Sequence, residues 1–416
     1  HANFVKGIGF GNSSSSLTNT GTITITGTAW GDTAGAINTD WQKAYGIALD
    51  NGSDSLGEKF TNEGVIKIDV DALNGESRSI YSVGSVSQFN NAATGSVTLT
   101  VNAHNGNAYG LYYDGGSTGY NDGLIDIDVT GSDIAEGTGG GIGLYVAGGS
   151  AFTNNKTITI DLANCTGEGN FTEVMGVLVG ASTTDTAPTF TNNGSISITS
   201  TTPYANNTSD AHAIRVRAGS FVNAENGVVT LDLGAPAHLQ AANNTGIQIW
   251  NSGKFENQGT ITITLDQVAD SAGKAFGIYS VNSETESPVT NLINTGTITI
   301  TADGESTENV QGIYSTNNIT NTGTISTNAA IYANAISGAV GTWILSGADT
   351  ESTVLDSFKT GSLTNAGKLT IDADGSLQGT QALWASRIEN TGEINTGATY
   401  ISAADGVVNN YGTIKV

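Results

Sequence analysis

The chain has 416 residues, with 14 basic against 38 acidic side chains and a formal charge of −24. Glycine is abundant (56 residues) and charged residues are scarce (12%), where ~7% and ~25% are usual; 38% apolar residues are too many for a disordered tail, and no run nears the ~18 of a membrane-spanning helix. The acidic excess argues against binding to phosphate backbones or anionic lipid, so nucleic acid is not an expected partner.

In chain order, residues 1–16 lack both the basic start and the apolar run of a signal peptide. They read as an N-terminal cap, with His1 as a tag remnant. From residue 17 one phrase recurs: an apolar residue, a spacer, Asn, a spacer, Gly, then alternating β-branched and polar residues. Good copies are 17–25 (LTNTGTITI), 60–68 (FTNEGVIKI), 190–198 (FTNNGSISI), 255–263 (FENQGTITI) and 363–371 (LTNAGKLTI). The Gly stands at 21, 64, 95, 123, 194, 227, 259, 296, 323, 367, 392 and 412, with Lys156 in its place once. These thirteen copies are separated by 20 residues at the shortest (392 to 412) and 44 at the longest (323 to 367). That spread suits a rigid core element carrying loops of variable length.

A second phrase follows each copy: a small residue, an apolar one, any residue and often another apolar. Examples are 46–49 (GIAL), 110–113 (GLYY), 143–146 (GLYV), 213–216 (AIRV) and 246–249 (GIQI). Both phrases alternate with period two, which is strand chemistry. Repeated strands of this kind cannot bury an apolar face alone and must stack. The sequence therefore predicts an all-β, right-handed parallel β-helix (a β-solenoid) of about thirteen coils, formed as one domain over 1–416. Pairs such as Ile23/Ile25, Ile66/Ile68, Ile125/Ile127 and Ile261/Ile263 become interior columns. Asn19, Asn62, Asn154, Asn192, Asn257, Asn294, Asn321, Asn365, Asn390 and Asn410 become an amide ladder at a corner.

These phrases, the single Cys165 and the Thr/Asn/Gly-rich acidic surface resemble passenger domains of bacterial type V autotransporters. The resemblance implies export across the outer membrane of a Gram-negative cell through a C-terminal β-barrel that this chain lacks. The rod would then be displayed at the cell surface or secreted, and would serve adhesion, self-association or biofilm formation. Its partners would be proteins or glycans of host or bacterial surfaces. The chain also ends in mid-pattern at 412–416, as a fragment of an exported mature protein would. A carbohydrate-active β-helix, lyase, hydrolase or tailspike-like, is the alternative.

Catalytic groupings are not evident. His104, His212 and His238 are the candidate bases besides His1, none of them near a Gly-x-Ser-x-Gly nucleophile. No His or Cys pair has metal-ligand spacing, and the glycines of 137–143 read as a loop. Accordingly no enzyme activity and no cofactor are expected. Outward carboxylates recur at Asp69, Asp128, Asp161, Asp232 and Asp372, with Asp126 beside Asp128. This column reads as a solvated acidic face, a weak Ca²⁺ site or a glycan-cleaving pair.

The outward position of the second phrase carries Tyr81, Tyr112, Tyr145, Tyr279, Tyr314, Tyr332 and Trp384, usually two residues after Gly, Ala or Ser, which leaves room beside each ring. Two readings remain open: loops fold over these rings or the stacked tyrosines stabilise the sheet face, or they form an exposed stripe that contacts a glycan, a protein or an identical rod. The last four are expected in successive coils.

Overall fold

A computed structural model describes residues 4–10, 15–29, 43–50, 57–72, 75–103, 106–131, 140–164, 173–180, 186–200, 210–234, 243–266, 274–281, 290–303, 310–327, 330–338, 342–345, 362–371, 381–396 and 400–415. Every regular element among them is a strand, and the strands pair in parallel from coil to coil. The chain is a right-handed parallel β-helix, as the repeats require. Each full coil supplies three faces. The first is built from the second phrase (Lys43–Asp50, Glu76–Val83, Ala108–Asp114). The second is built from short strands ending in Asn (Lys59–Asn62, Gln88–Asn91, Thr118–Asn121). The third follows the Gly (Val65–Ala72, Ser96–Ala103, Leu124–Gly131).

Among the described residues the third face is a sheet of 14 strands, one more than the Gly count suggests. The added strand is Thr342–Leu345, paired with Thr324–Thr327 on one side and Lys368–Ile371 on the other. The step from 323 to 367 thus holds a further coil and is not one long loop. Its signature is disguised, because Gly338 takes the register position of Asn365 and Trp343 that of Ile325 and Leu369. At the other end, the segment expected as a cap contains the strand Phe4–Phe10. It pairs in parallel with Lys43–Asp50, and Phe10 sets its ring edge-on to Phe60.

The interior follows from the alternation of side chains. The isoleucine and leucine pairs of the third face are buried, as at Ile66, Ile68, Ile125, Ile127, Ile261 and Ile263. Opposite them runs a column of phenylalanines from the second face: Phe60, Phe89, Phe152, Phe190, Phe221 and Phe255, all at most 1% exposed. Successive rings such as Phe190, Phe221 and Phe255 stack at 4.8 and 4.9 Å. Between Phe60 and Phe255 one coil lacks its Phe, since Gly119 pairs with both Phe89 and Phe152. Tyr113 fills the gap from the neighbouring strand: its ring lies 5.1 Å from Phe152 and its hydroxyl donates to the carbonyl of Phe89 at 3.2 Å. A Cβ on Gly119 would stand 2.5 Å from that ring.

The corner before the third face is an unbroken amide ladder. Each Asn Nδ2 donates to the Oδ1 of the next, at 2.7–2.8 Å, from Asn19 through Asn62, Asn91, Asn121, Asn154, Asn192, Asn223, Asn257 and Asn294 to Asn321. Asn91, Asn121 and Asn223 belong to this ladder although the motif reading passed them by. In the coils of Asn91 and Asn223 the corner is two residues longer, and the amide reaches the carbonyls of Gly95 and Gly227 instead of a glycine two positions on. Buried amides satisfied in this way hold the register of every coil against its neighbours.

Candidate functional site

The outward aromatic position lies on the first face, and backbone register sets Ala48, Tyr81, Tyr112, Tyr145, Leu178, Arg215, Gln248, Tyr279, Tyr314 and Tyr332 in one column. The small residue two positions earlier does not make room beside the rings. A Cβ on Gly277 would meet the Gly312 carbonyl at 2.5 Å and Ile300 Cγ2 at 2.7 Å, and Gly46, Gly143, Gly176 and Gly246 face the third-face isoleucines likewise. The small residue therefore points inward, where its lack of bulk lets the two faces approach. The alternation slips by one residue, and the residue three before the aromatic position turns outward as well. A second outward column results, which strict period two does not reveal: Tyr45, Arg78, Tyr109, Ile142, Met175, His212, Thr245, Phe276 and Gln311.

These two columns divide into two stretches of different character. Toward the N-terminus, Arg78 sits among tyrosines, its guanidinium carbon 3.8 Å from the Tyr112 ring centroid and 4.3 Å from that of Tyr81. Its partner is Glu76. Burial opposes its charge, but Glu76, Tyr112 and Tyr45 outweigh that and hold its pKa above the ordinary range. Burial pushes the Tyr45 phenol up to about 12. Tyr81, Tyr112 and Tyr145 follow at ring separations of 5.4 and 4.7 Å. Tyr112 and Tyr145 are only 9% and 8% exposed. This stretch is a packed cation–π cluster whose cation is the protein's own, and of the two readings of the aromatic position, covered rings or an exposed stripe, Tyr112 and Tyr145 fit the covered one.

The C-terminal stretch opens into a cleft of about 380 Å³ lined by His212, Asn243, Thr245, Gln248, Trp250, Lys274, Phe276, Tyr279, Gln311 and Tyr314. Tyr279 and Tyr314 stack with centroids 5.3 Å apart and planes 16° apart, and Phe276 lies 4.7 Å from Tyr279. Both tyrosines are half-buried. Arg215 approaches the Trp250 ring at 5.6 Å. In the floor, His212, Gln248 and Gln311 are 1%, 5% and 9% exposed. Neither ring nitrogen of His212, nor Oε1 of either glutamine, has a hydrogen-bond partner in the structure. Burial, reinforced by Arg215, lowers the His212 pKa to about 3, so the imidazole is neutral. Among the described residues lining the cleft there is no carboxylate.

Tyr332 continues the register after Tyr314, but Trp384 does not follow it directly. The coil containing Ser362–Asn365 comes between the strands of Tyr332 and Trp384, so the last four positions are not in successive coils. The side chains of Tyr332 and Trp384 lie outside the described residues, as do Cys165, His104, His238 and Asp372.

The acidic column lies on the third face, away from the cleft. Asp128 and Asp161 are register neighbours, and Asp126 lies two residues before Asp128. Asp126 accepts from the Thr159 hydroxyl. Partial burial, then Asp126 and Asp161, raise the Asp128 pKa. The column is interrupted, because Thr100, Thr199 and Thr264 occupy equivalent positions. Among the described residues no three His, Cys, Asp or Glu side chains come together in a metal-holding group.

A family model described as the BigA third pectate lyase-like domain matches residues 181–342. The match covers the coils that carry the cleft and stops well short of the whole chain. No curated protein and no solved structure matches the chain.

Proposed function

We propose that this β-helix is a non-catalytic, adhesin-like passenger rod, exported by the autotransporter route, displayed on a Gram-negative cell surface or released from it, and attached to its partners through the first-face cleft. The observation that carries this reading is the half-buried Tyr279–Tyr314 stack beside buried polar atoms of His212, Gln248 and Gln311 that no protein group satisfies. Packed rings with their own cation, as around Arg78, are complete in themselves; this stretch is not. The resemblance to autotransporter passengers supports display, and the acidic surface suits a partner other than nucleic acid or anionic lipid.

The pectate lyase-like description of the matching family favours a second reading, a carbohydrate-active β-helix. Glycan cleavage by hydrolysis generally needs a pair of carboxylates across the bond, and the described cleft lining offers His212, Lys274 and tyrosines instead. Rods coupled to beads are expected to adhere to host or bacterial cells, with adhesion reduced several-fold by Tyr279→Ser with Tyr314→Ser. They are expected to release no product from oligosaccharides. Measured turnover that Asp128→Asn abolishes would replace the adhesive reading with the enzymatic one.

A further inference from the structure

We infer that the first-face cleft binds an uncharged, hydroxyl-rich ligand, a neutral glycan whose sugar ring lies against Tyr279 and Tyr314 while its hydroxyls reach His212, Gln248 and Gln311. The inference rests on the cleft being the attachment site and adds the chemical class of what it holds.

The argument starts from the unsatisfied atoms. Leaving a buried polar group without a partner is costly, yet four such atoms on three side chains converge on one recess of about 380 Å³. A neutral imidazole presents one N–H donor and one acceptor nitrogen. With the two glutamine oxygens the floor offers three acceptors and one donor. Among these four floor atoms an anion could use only the donor, and would leave three lone-pair sites facing its charge, which offsets the pull of Lys274 at the rim and Arg215 beside Trp250. A cation would find acceptors but also Lys274 at the rim and Arg215 beside Trp250. A hydroxyl both donates and accepts, and neighbouring hydroxyls on one ring match a mixed floor of this kind. The walls supply the other half of the match: Tyr279, Tyr314 and Trp250 offer apolar faces with polar tips and Phe276 an apolar ring, suited to the C–H faces of a sugar ring. The volume falls within the ~300–1,000 Å³ of ligand pockets, toward the size of a short oligosaccharide segment.

The unsatisfied floor also predicts an unusual pairing of effects. Gln248→Leu with Gln311→Leu should remove binding and, because two orphaned oxygens disappear, leave the ligand-free rod at least as stable as before. The experiment titrates the full chain with short uncharged oligoglucosides, oligogalactosides and oligomannosides, and with uronate oligosaccharides of matching length. Trp fluorescence and calorimetry report binding, thermal unfolding reports stability, and bead adhesion is measured in parallel. The expected result is binding of at least one uncharged series, weakened tenfold or more by the double Gln variant and by Tyr279→Ala with Tyr314→Ala. Tyr279→Phe with Tyr314→Phe keeps the rings and should retain most of the affinity, which protects the test if the alanine variant unfolds. Binding of uronates in preference to uncharged sugars overturns the inference. So does adhesion of the beads with no binding or competition by any uncharged oligosaccharide, a result that leaves the adhesive reading standing. Absence of both adhesion and binding overturns the two together.

Discussion

His212 concentrates the chemistry of the site in one residue. It stands in a column between Met175 and Thr245 on the neighbouring strands, 1% exposed, with both ring nitrogens unpartnered. Its pKa falls from an unfolded value of 6.5 to about 3 in the fold, through burial and then Arg215. The unfolded chain therefore takes up the proton first. The stability of the fold is unaffected above pH ~6.5 and declines as the pH falls from there toward 3, by roughly 2–3 kcal/mol at about pH 4.5. His212→Thr, which copies the next coil, removes this dependence. Denaturant unfolding of both proteins at neutral pH and at about pH 4.5 checks it: the wild type is expected to lose more on acidification than the variant. Equal losses would mean that His212 is solvated or paired. The charged and titratable groups around it are Arg215, Lys274, Tyr279 and Tyr314.

At the scale of the element, the fold tolerates exceptions when a neighbouring strand compensates. Gly119 and Tyr113 exchange roles with the usual Phe on the second face and the usual aliphatic residue on the first, as in Phe152 and Val146. Tyr113→Val alone should open a cavity between Phe89 and Phe152 and cost ~2–4 kcal/mol. Gly119→Phe alone should overpack against the Tyr113 ring and cost ~1–3 kcal/mol or more. The pair together rebuilds an ordinary coil and should recover most of both losses, a coupling that a double-mutant cycle measures directly. Simple additivity of the two losses would show that Tyr113 does not occupy the vacant Phe position. The same logic explains which elements were legible in the sequence. Alternating isoleucines and the Asn-x-Gly corner announce the third face because every coil repeats the same burial demand. The coil of Thr342–Leu345 stayed hidden because Gly338 and Trp343 keep the backbone path while changing both signature residues. The aromatic position was legible too, but the second outward column was not. Two successive inward residues, as at Gly277 and Ile278, break the period-two pattern, so strict alternation does not place Phe276 and His212 in the cleft they line. No short motif marks such a slip; the cue in the sequence was the persistent small residue, whose bulk is limited by Ile300 and its equivalents.

For the whole molecule, charge sets the field that an approaching rod or ligand would meet. A formal charge of −24 places a repulsive field around each rod, felt over a screening length of ~10 Å at 0.1 M salt and ~3 Å at 1 M. Self-association through apolar or aromatic contacts must first overcome that repulsion, so it should strengthen as salt rises. A neutral glycan carries no charge into the field, and its binding through ring faces and hydroxyl hydrogen bonds should change little over the same range. Many rods on one cell would then turn a weak single-site affinity into firm attachment, because each further contact forms at a high effective concentration. The two modes are separable in one experiment. Sedimentation of the rod and titration with an uncharged oligosaccharide are both run at low and high salt, with the Gln248→Leu/Gln311→Leu variant alongside. Salt is expected to shift the wild type and the variant equally toward larger species, while the sugar affinity of the wild type stays flat and that of the variant remains low. Sugar binding that collapses with salt would place a charge at the heart of the interaction, and clumping lost in the variant would make the cleft itself the contact between rods.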